Sequence, residues 1–154
     1  FVEQQALYDQ FHLDEPWDSP HNRKLIERMP AVFQSPGVKT KPGMTVYLGL
    51  VGEGTLFEGD KKRPIGDIRD GTSNTIMLVE ADPDRAVPWT KPDDLPFDPK
   101  KPLAGLGHAR QGGFSVLFCD GSVRFISETI DPEVFRRLAL INDGEPVHWD
   151  KIER

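Results

Sequence analysis

The sequence predicts an α+β domain: an antiparallel sheet with short helices and long loops. Three observations carry this. The first is the stretch 108–126, where the runs Phe114-Ser115-Val116-Leu117-Phe118-Cys119 and Ser122-Val123-Arg124-Phe125-Ile126 are joined by Asp120-Gly121. Two β-rich runs around Asp-Gly are the strongest short-range hairpin signal, because a tight primed turn needs positive φ at its centre. The first run is apolar almost throughout and is expected to be buried on both faces. In the second, Val123 and Phe125 form an apolar face opposite Ser122, Arg124 and Ile126. The second observation is 14 Gly and 14 Pro against only 37% hydrophobic residues, which leaves much of the chain to turns. The third is the length: 154 residues suit one domain with one core, spanning 1–154.

In chain order, residues 1–11 have good helix formers, with Val2, Ala6 or Leu7, and Phe11 near helical spacing, and read as the tail of a helix. Ser19 is placed to cap a short helix over 20–28, which Pro30 ends. Residues 31–43 carry two Pro-Gly turns and read as an extended connector. Strands are expected over 44–50 and, briefly, 55–57, followed by a charged loop over 58–64. Asp70-Gly71 supplies a turn into a core strand over 75–79. Residues 82–107 hold Pro83, Pro88, Pro92, Pro96, Pro99 and Pro102, a spacing that forbids helix and central strand, so they form an ordered loop or a mobile flap. Asp131 is expected to cap a helix over 132–141 with Val134, Phe135, Leu138 and Ile141 on one face, stopped by Asp143-Gly144. The last ten residues read as a tail.

Charge and composition exclude several functions. The net charge of −6 comes from interspersed acids and bases, against nucleic acid or an anionic membrane surface as partner. The lone Cys119 has no intramolecular disulfide partner and reads as a small buried residue. No apolar run is long enough to span a bilayer. There is no phosphate-binding loop, no dinucleotide fingerprint and no Gly-x-Ser-x-Gly elbow, and although carboxylates are abundant, nothing singles out two as a hydrolytic pair. A non-enzymatic role is expected.

Several residues remain candidates. His108 and Asp120 either serve strand-edge and turn chemistry, with Gly121 completing the turn, or converge on a metal with a carboxylate such as Asp70 or Glu80. Four His and one Cys make zinc a poor fit, whereas calcium accepts oxygen donors such as Asp70, Ser73, Asn74 and Glu80, or Asp93, Asp94 and Asp98. Asp70, Gly71, Ser73 and Asn74 also read as a self-bonded turn beside the sheet. Trp89, with Asp93 and Asp94 nearby, either stacks on a sugar ring or pins its loop to the core.

Four segments together resemble a known family. They are Leu13-Asp14-Glu15-Pro16-Trp17-Asp18-Ser19; Asp70-Gly71-Thr72-Ser73-Asn74-Thr75-Ile76 leading to Glu80; Val87-Pro88-Trp89-Thr90-Lys91-Pro92-Asp93-Asp94-Leu95; and His108 through Phe125. The chain resembles the planctomycete pilin-like proteins with a prepilin-type N-terminus and a C-terminal H-X9-DG motif, also described as a bacterial solute-binding-like domain of unknown function. Here eleven residues separate His108 from Asp120, so Arg110 and Gln111 read as an insertion in the Gly-rich turn. The resemblance implies a pseudopilin-like head behind a hydrophobic N-terminal helix, exported and held at the cell envelope, acting through contacts with other subunits of a surface assembly. Membrane attachment would come through that helix alone. The alternative is an extracytoplasmic module that binds calcium, a glycan or a small solute.

Overall fold

A computed structural model describes residues 2–147 and Trp149. Its first helix, α1 (Gln5–Tyr8), is a single turn. The helix expected over 1–11 is cut short because Glu3 adopts φ 54° and Gln4 offers no side-chain cap, and an uncapped helix this short gains little from propensity. The expected helix over 20–28 is a 3₁₀ segment, Asn22–Arg28, with the Ser19 hydroxyl accepting the Asn22 N–H at 3.1 Å. Buried Asn22 ties back the preceding loop through the His12 N–H and the His12 and Pro16 carbonyls.

The strand expected over 44–50 is split into three two-residue pieces, β1 (Met44–Thr45), β2 (Tyr47–Leu48) and β3 (Leu50–Val51). Gly49 explains one break. A Cβ there would lie 2.5 Å from the Phe57 ring, and the Gly49 N–H goes to the Asp94 carboxylate at 2.7 Å rather than to a strand. The strand expected over 55–57 is reduced to isolated bridges from Thr55 and Phe57. Then come β4 (Ile76–Glu80), β5 (Val87–Pro88), β6 (Leu95–Pro96), β7 (Gly113–Phe118), β8 (Val123–Ser127) and α2 (Pro132–Ala139). The Pro-rich loop is therefore ordered: β5 pairs with β1 and β6 with β3, in two-stranded ladders where a missing N–H is tolerated.

The main sheet is antiparallel, in the order β2-β4-β7-β8. The architecture is α+β, as expected. The hairpin turn differs from the primed type: the Phe118 carbonyl accepts the Gly121 N–H, the Phe118 N–H donates to Ser122, and only Gly121 has positive φ (85°). This is a turn over Cys119-Asp120 followed by a left-handed glycine bulge. The Asp120 carboxylate accepts both the N–H (2.9 Å) and the hydroxyl (2.6 Å) of Ser122, which holds that geometry.

Register decides which face of the hairpin is buried. Ile126 lies opposite Phe114 and Arg124 opposite Val116, on the face that α2 covers, where Phe135 meets Phe114 edge-on at 5.7 Å. Val123 and Phe125 point the other way and are 68% and 55% exposed, which reverses the expected faces. Ser115 and Leu117, their partners on β7, are half-buried, so β7 is not buried on both faces either. Asp131 caps α2 as expected, accepting the Glu133 N–H at 2.8 Å. The helix stops at Ala139, because Leu140 turns extended to bridge Thr55 and the Ile141 N–H goes to Gly54. No helix among the described residues is long and apolar enough to cross a membrane.

Phe135 is fully buried under the sheet, so Phe135→Ala is expected to cost about 3–5 kcal/mol in urea unfolding. Val123→Ala on the open face is expected to change stability by less than about 0.5 kcal/mol.

Candidate functional site

His108 does not meet Asp120. It meets Asp82, two residues past the end of β4: the His108 N–H donates to Asp82 Oδ1 at 2.6 Å, and its Nδ1 lies 2.9 Å from Oδ2. Asp82 is buried and the His108 ring is 86% exposed, so the carboxylate orients an imidazole whose other nitrogen faces water. The bond to Asp82, and then its charge, raise the His108 pKa. Among the described residues no hydroxyl or thiol bonds to this ring.

Glu80 is almost fully buried, and its carboxylate is fully engaged. Arg110 grips it with two bonds, Nε to Oε2 at 2.7 Å and Nη2 to Oε1 at 2.8 Å. The Ser35 hydroxyl donates to Oε1, and the Ser115 N–H reaches Oε2 at 3.3 Å. Arg110 also bonds Ser35 and the Pro36 carbonyl, each at 3.0 Å. Burial alone would raise the Glu80 pKa, but the bonds from Arg110, Ser35 and Ser115 outweigh it and hold the carboxyl below its usual range. Arg110, in the turn between His108 and Gly113, is thus the partner of the buried carboxylate.

The Asp70-Gly71 turn is also occupied. Both Asp70 carboxylate oxygens accept backbone N–H groups, from Asp143 (2.7 Å) and Gly144 (3.1 Å). Asn74 donates to the Asp70 carbonyl and accepts from the Trp149 indole at 2.9 Å, while Ser73 is exposed. This turn moors the chain after α2. The expected calcium donors Asp70, Asn74 and Glu80 are therefore not brought together, and neither are Asp93, Asp94 and Asp98. Asp93 pairs with Lys91, Asp98 accepts the Lys100 N–H, and Asp94 holds the Gly49 N–H, with a pKa raised mainly by burial. Among the described residues no group of three or more His, Cys, Asp and Glu side chains is placed to hold a metal.

Trp89 anchors its loop, the second of the two readings. Its indole N–H donates to the Ile26 carbonyl at 2.9 Å, and its ring stacks on Phe33 at 5.3 Å and meets the edge of Phe11 at 5.8 Å. These rings line a groove of about 680 Å³ that runs along α1 past Leu7, Tyr8 and Leu13. Tyr8 and Leu13 are 55% and 68% exposed. The sequence singled out Trp89 but neither the groove nor Asp82. The signal for Asp82 was the matched spacing of Glu80-Ala81-Asp82 and His108-Ala109-Arg110, two acids facing two bases at the same interval.

Residues 85–133, from just before β5 into the first turn of α2, match the model of a family described as "Protein of unknown function (DUF1559)". No curated protein and no solved structure matches the chain.

An NMR titration of His108 is expected to give a pKa above about 6.5, the ordinary histidine value, and Asp82→Asn is expected to lower it. Because the folded pKa is raised, this contact stabilises the fold fully below the unfolded pKa, and its contribution fades as pH rises through the folded value. An unchanged titration in Asp82→Asn would refute the pairing.

Proposed function

We propose that this chain is a non-enzymatic, pseudopilin-like head domain, exported and held at the cell envelope, that works through protein contacts in a surface assembly. The observation that carries this reading is the apolar groove along α1. The groups suited to chemistry are already committed: Glu80 to Arg110, Asp82 to His108, Asp70 to the backbone after α2, and Trp89 to Ile26. The groove instead leaves Val2, Tyr8 and Leu13 exposed beside the Phe11, Phe33 and Trp89 rings. A concave aromatic floor beside a one-turn helix suits helix-in-groove recognition, in which a partner helix lays its apolar face along the floor. The occupant in this reading is an apolar helix of another subunit. The resemblance to pilin-like proteins and the family match over 85–133 support this reading.

Photo-crosslinking residues at Tyr8 and Leu13, in the full-length protein in its native envelope, test it. Adducts to another protein subunit are expected from both positions. Ile65, 70% exposed and outside the groove, serves as the control and is expected to give none. Equal capture at all three positions, or none at Tyr8 and Leu13, would overturn the reading.

A further inference from the structure

Strand β8 (Val123–Ser127) is an outer strand of the main sheet: β7 pairs with one side of it, and among the described residues no strand pairs with the other. Register decides which backbone groups face out. The Phe118 N–H donates to the Ser122 carbonyl and the Glu128 N–H to the Gly112 carbonyl, so the even-numbered residues of this strand bond β7. The N–H and C=O groups of Val123, Phe125 and Ser127 therefore point away from the sheet. Edge strands commonly carry charges or prolines that prevent further pairing. None of these three residues is charged or a proline, and the exposed side chains of Val123 and Phe125 continue an apolar strip from half-buried Leu117 on β7.

Charge decides what this edge accepts. On the face that α2 covers, the Arg124 guanidinium lies 3.8 Å from the centre of the Trp149 ring, and exposed Glu128 follows four residues later. A second copy of the same strand, running antiparallel, meets different partners depending on where the two-fold axis falls. With the axis at Arg124, two guanidinium groups stand opposite each other; with the axis at Phe125, Arg124 faces Ile126. With the axis at Ile126, each Arg124 stands opposite the Glu128 of the other copy. Opposite charges directly across a ladder stabilise it and like charges oppose it. These pairs are also the non-hydrogen-bonded ones, whose Cα atoms approach to about 4.5 Å. In that register Phe125 and Ser127 exchange backbone bonds with Ser127 and Phe125 of the second copy. The Ser127 carbonyl already accepts the Ile130 N–H but keeps a second lone pair.

We infer that the outer edge of β8 binds a second copy of this chain, antiparallel about Ile126, and joins two four-stranded sheets into one. The two Phe125 rings become diagonal neighbours on the open face, within reach of each other. This surface shares no residue with the α1 groove, so it does not depend on the function proposed above. A five-residue edge is small for an interface, which makes the association weak and concentration-dependent.

Sedimentation velocity of the full chain between about 10 µM and about 1 mM, with amide hydrogen exchange followed by NMR at both ends of that range, tests this. A shift from monomer to dimer is expected, with exchange of the Phe125 and Ser127 amides slowed at the high end. Glu128→Arg places arginine opposite Arg124 at both ends of the new ladder and is expected to weaken dimerisation about tenfold or more. Among the described residues the Glu128 carboxylate makes no hydrogen bond or ion pair, so the monomer loses no such contact by the change. Leu13→Asp, in the α1 groove, is expected to leave dimerisation unchanged. A monomer across the whole range, a dimer whose Phe125 and Ser127 amides still exchange freely, dimerisation that Glu128→Arg leaves intact, or a dimer that Leu13→Asp abolishes would each overturn the assignment.

Discussion

The fold depends on a buried carboxylate that must not be left alone. Glu80 ends the central strand β4 at 1% exposure, and a charge in that position is tolerated only when its partners are complete. Arg110 supplies two bonds from the Gly-rich turn before β7, Ser35 a third from the connector ahead of β1, and the Ser115 N–H a fourth from β7 itself. One ion pair therefore fastens the sheet, the entry to the hairpin and the segment around Ser35 and Pro36. Two residues on, Asp82 repeats the arrangement with His108, two residues before Arg110. The two acids close the 26-to-30-residue excursion between β4 and β7 like paired clasps, one buried and one half-open to water. Acid weakens the buried clasp: the Glu80 pKa lies below its usual value, so its contribution is present above the unfolded pKa and is lost as pH falls through the folded one.

This arrangement separates the roles of His108 and Asp120. His108 and Asp120 sit at opposite ends of β7 and act separately, one clasping β4 and the other shaping the hairpin turn. The eleven residues between them bring the two side chains to no shared site, and one of the eleven, Arg110, is the partner of Glu80. Apart from these clasps, the described surface carries an apolar groove along α1, floored by the rings of Phe11, Phe33 and Trp89.

Local chemistry was legible in the sequence where it acts over a few residues. The Asp131 cap, strand β4 and the hairpin are set by neighbours in the chain, and the structure has them all. What was not legible depends on distant partners. Nothing local says that residues 44–51 serve three ladders, because that follows from Phe57 packing over Gly49 and Asp94 claiming its N–H. Alternation in β8 announced two faces without saying which one α2 would cover, and the answer placed Ile126 inside and Phe125 outside. For the candidate sites, the residue types were visible but their partners lay 26 to 75 positions away, as for Asp82 with His108 and Asn74 with Trp149.

A double-mutant cycle on Glu80 and Arg110, followed by urea unfolding, tests most directly whether this ion pair holds the fold together. Arg110→Met alone is expected to cost about 3–5 kcal/mol, because it leaves the buried carboxylate without its cation. Adding Glu80→Gln is expected to recover part of that loss, giving a coupling energy well above about 0.5 kcal/mol. Additive single losses, or an Arg110→Met cost no larger than that of an exposed side chain, would contradict the account.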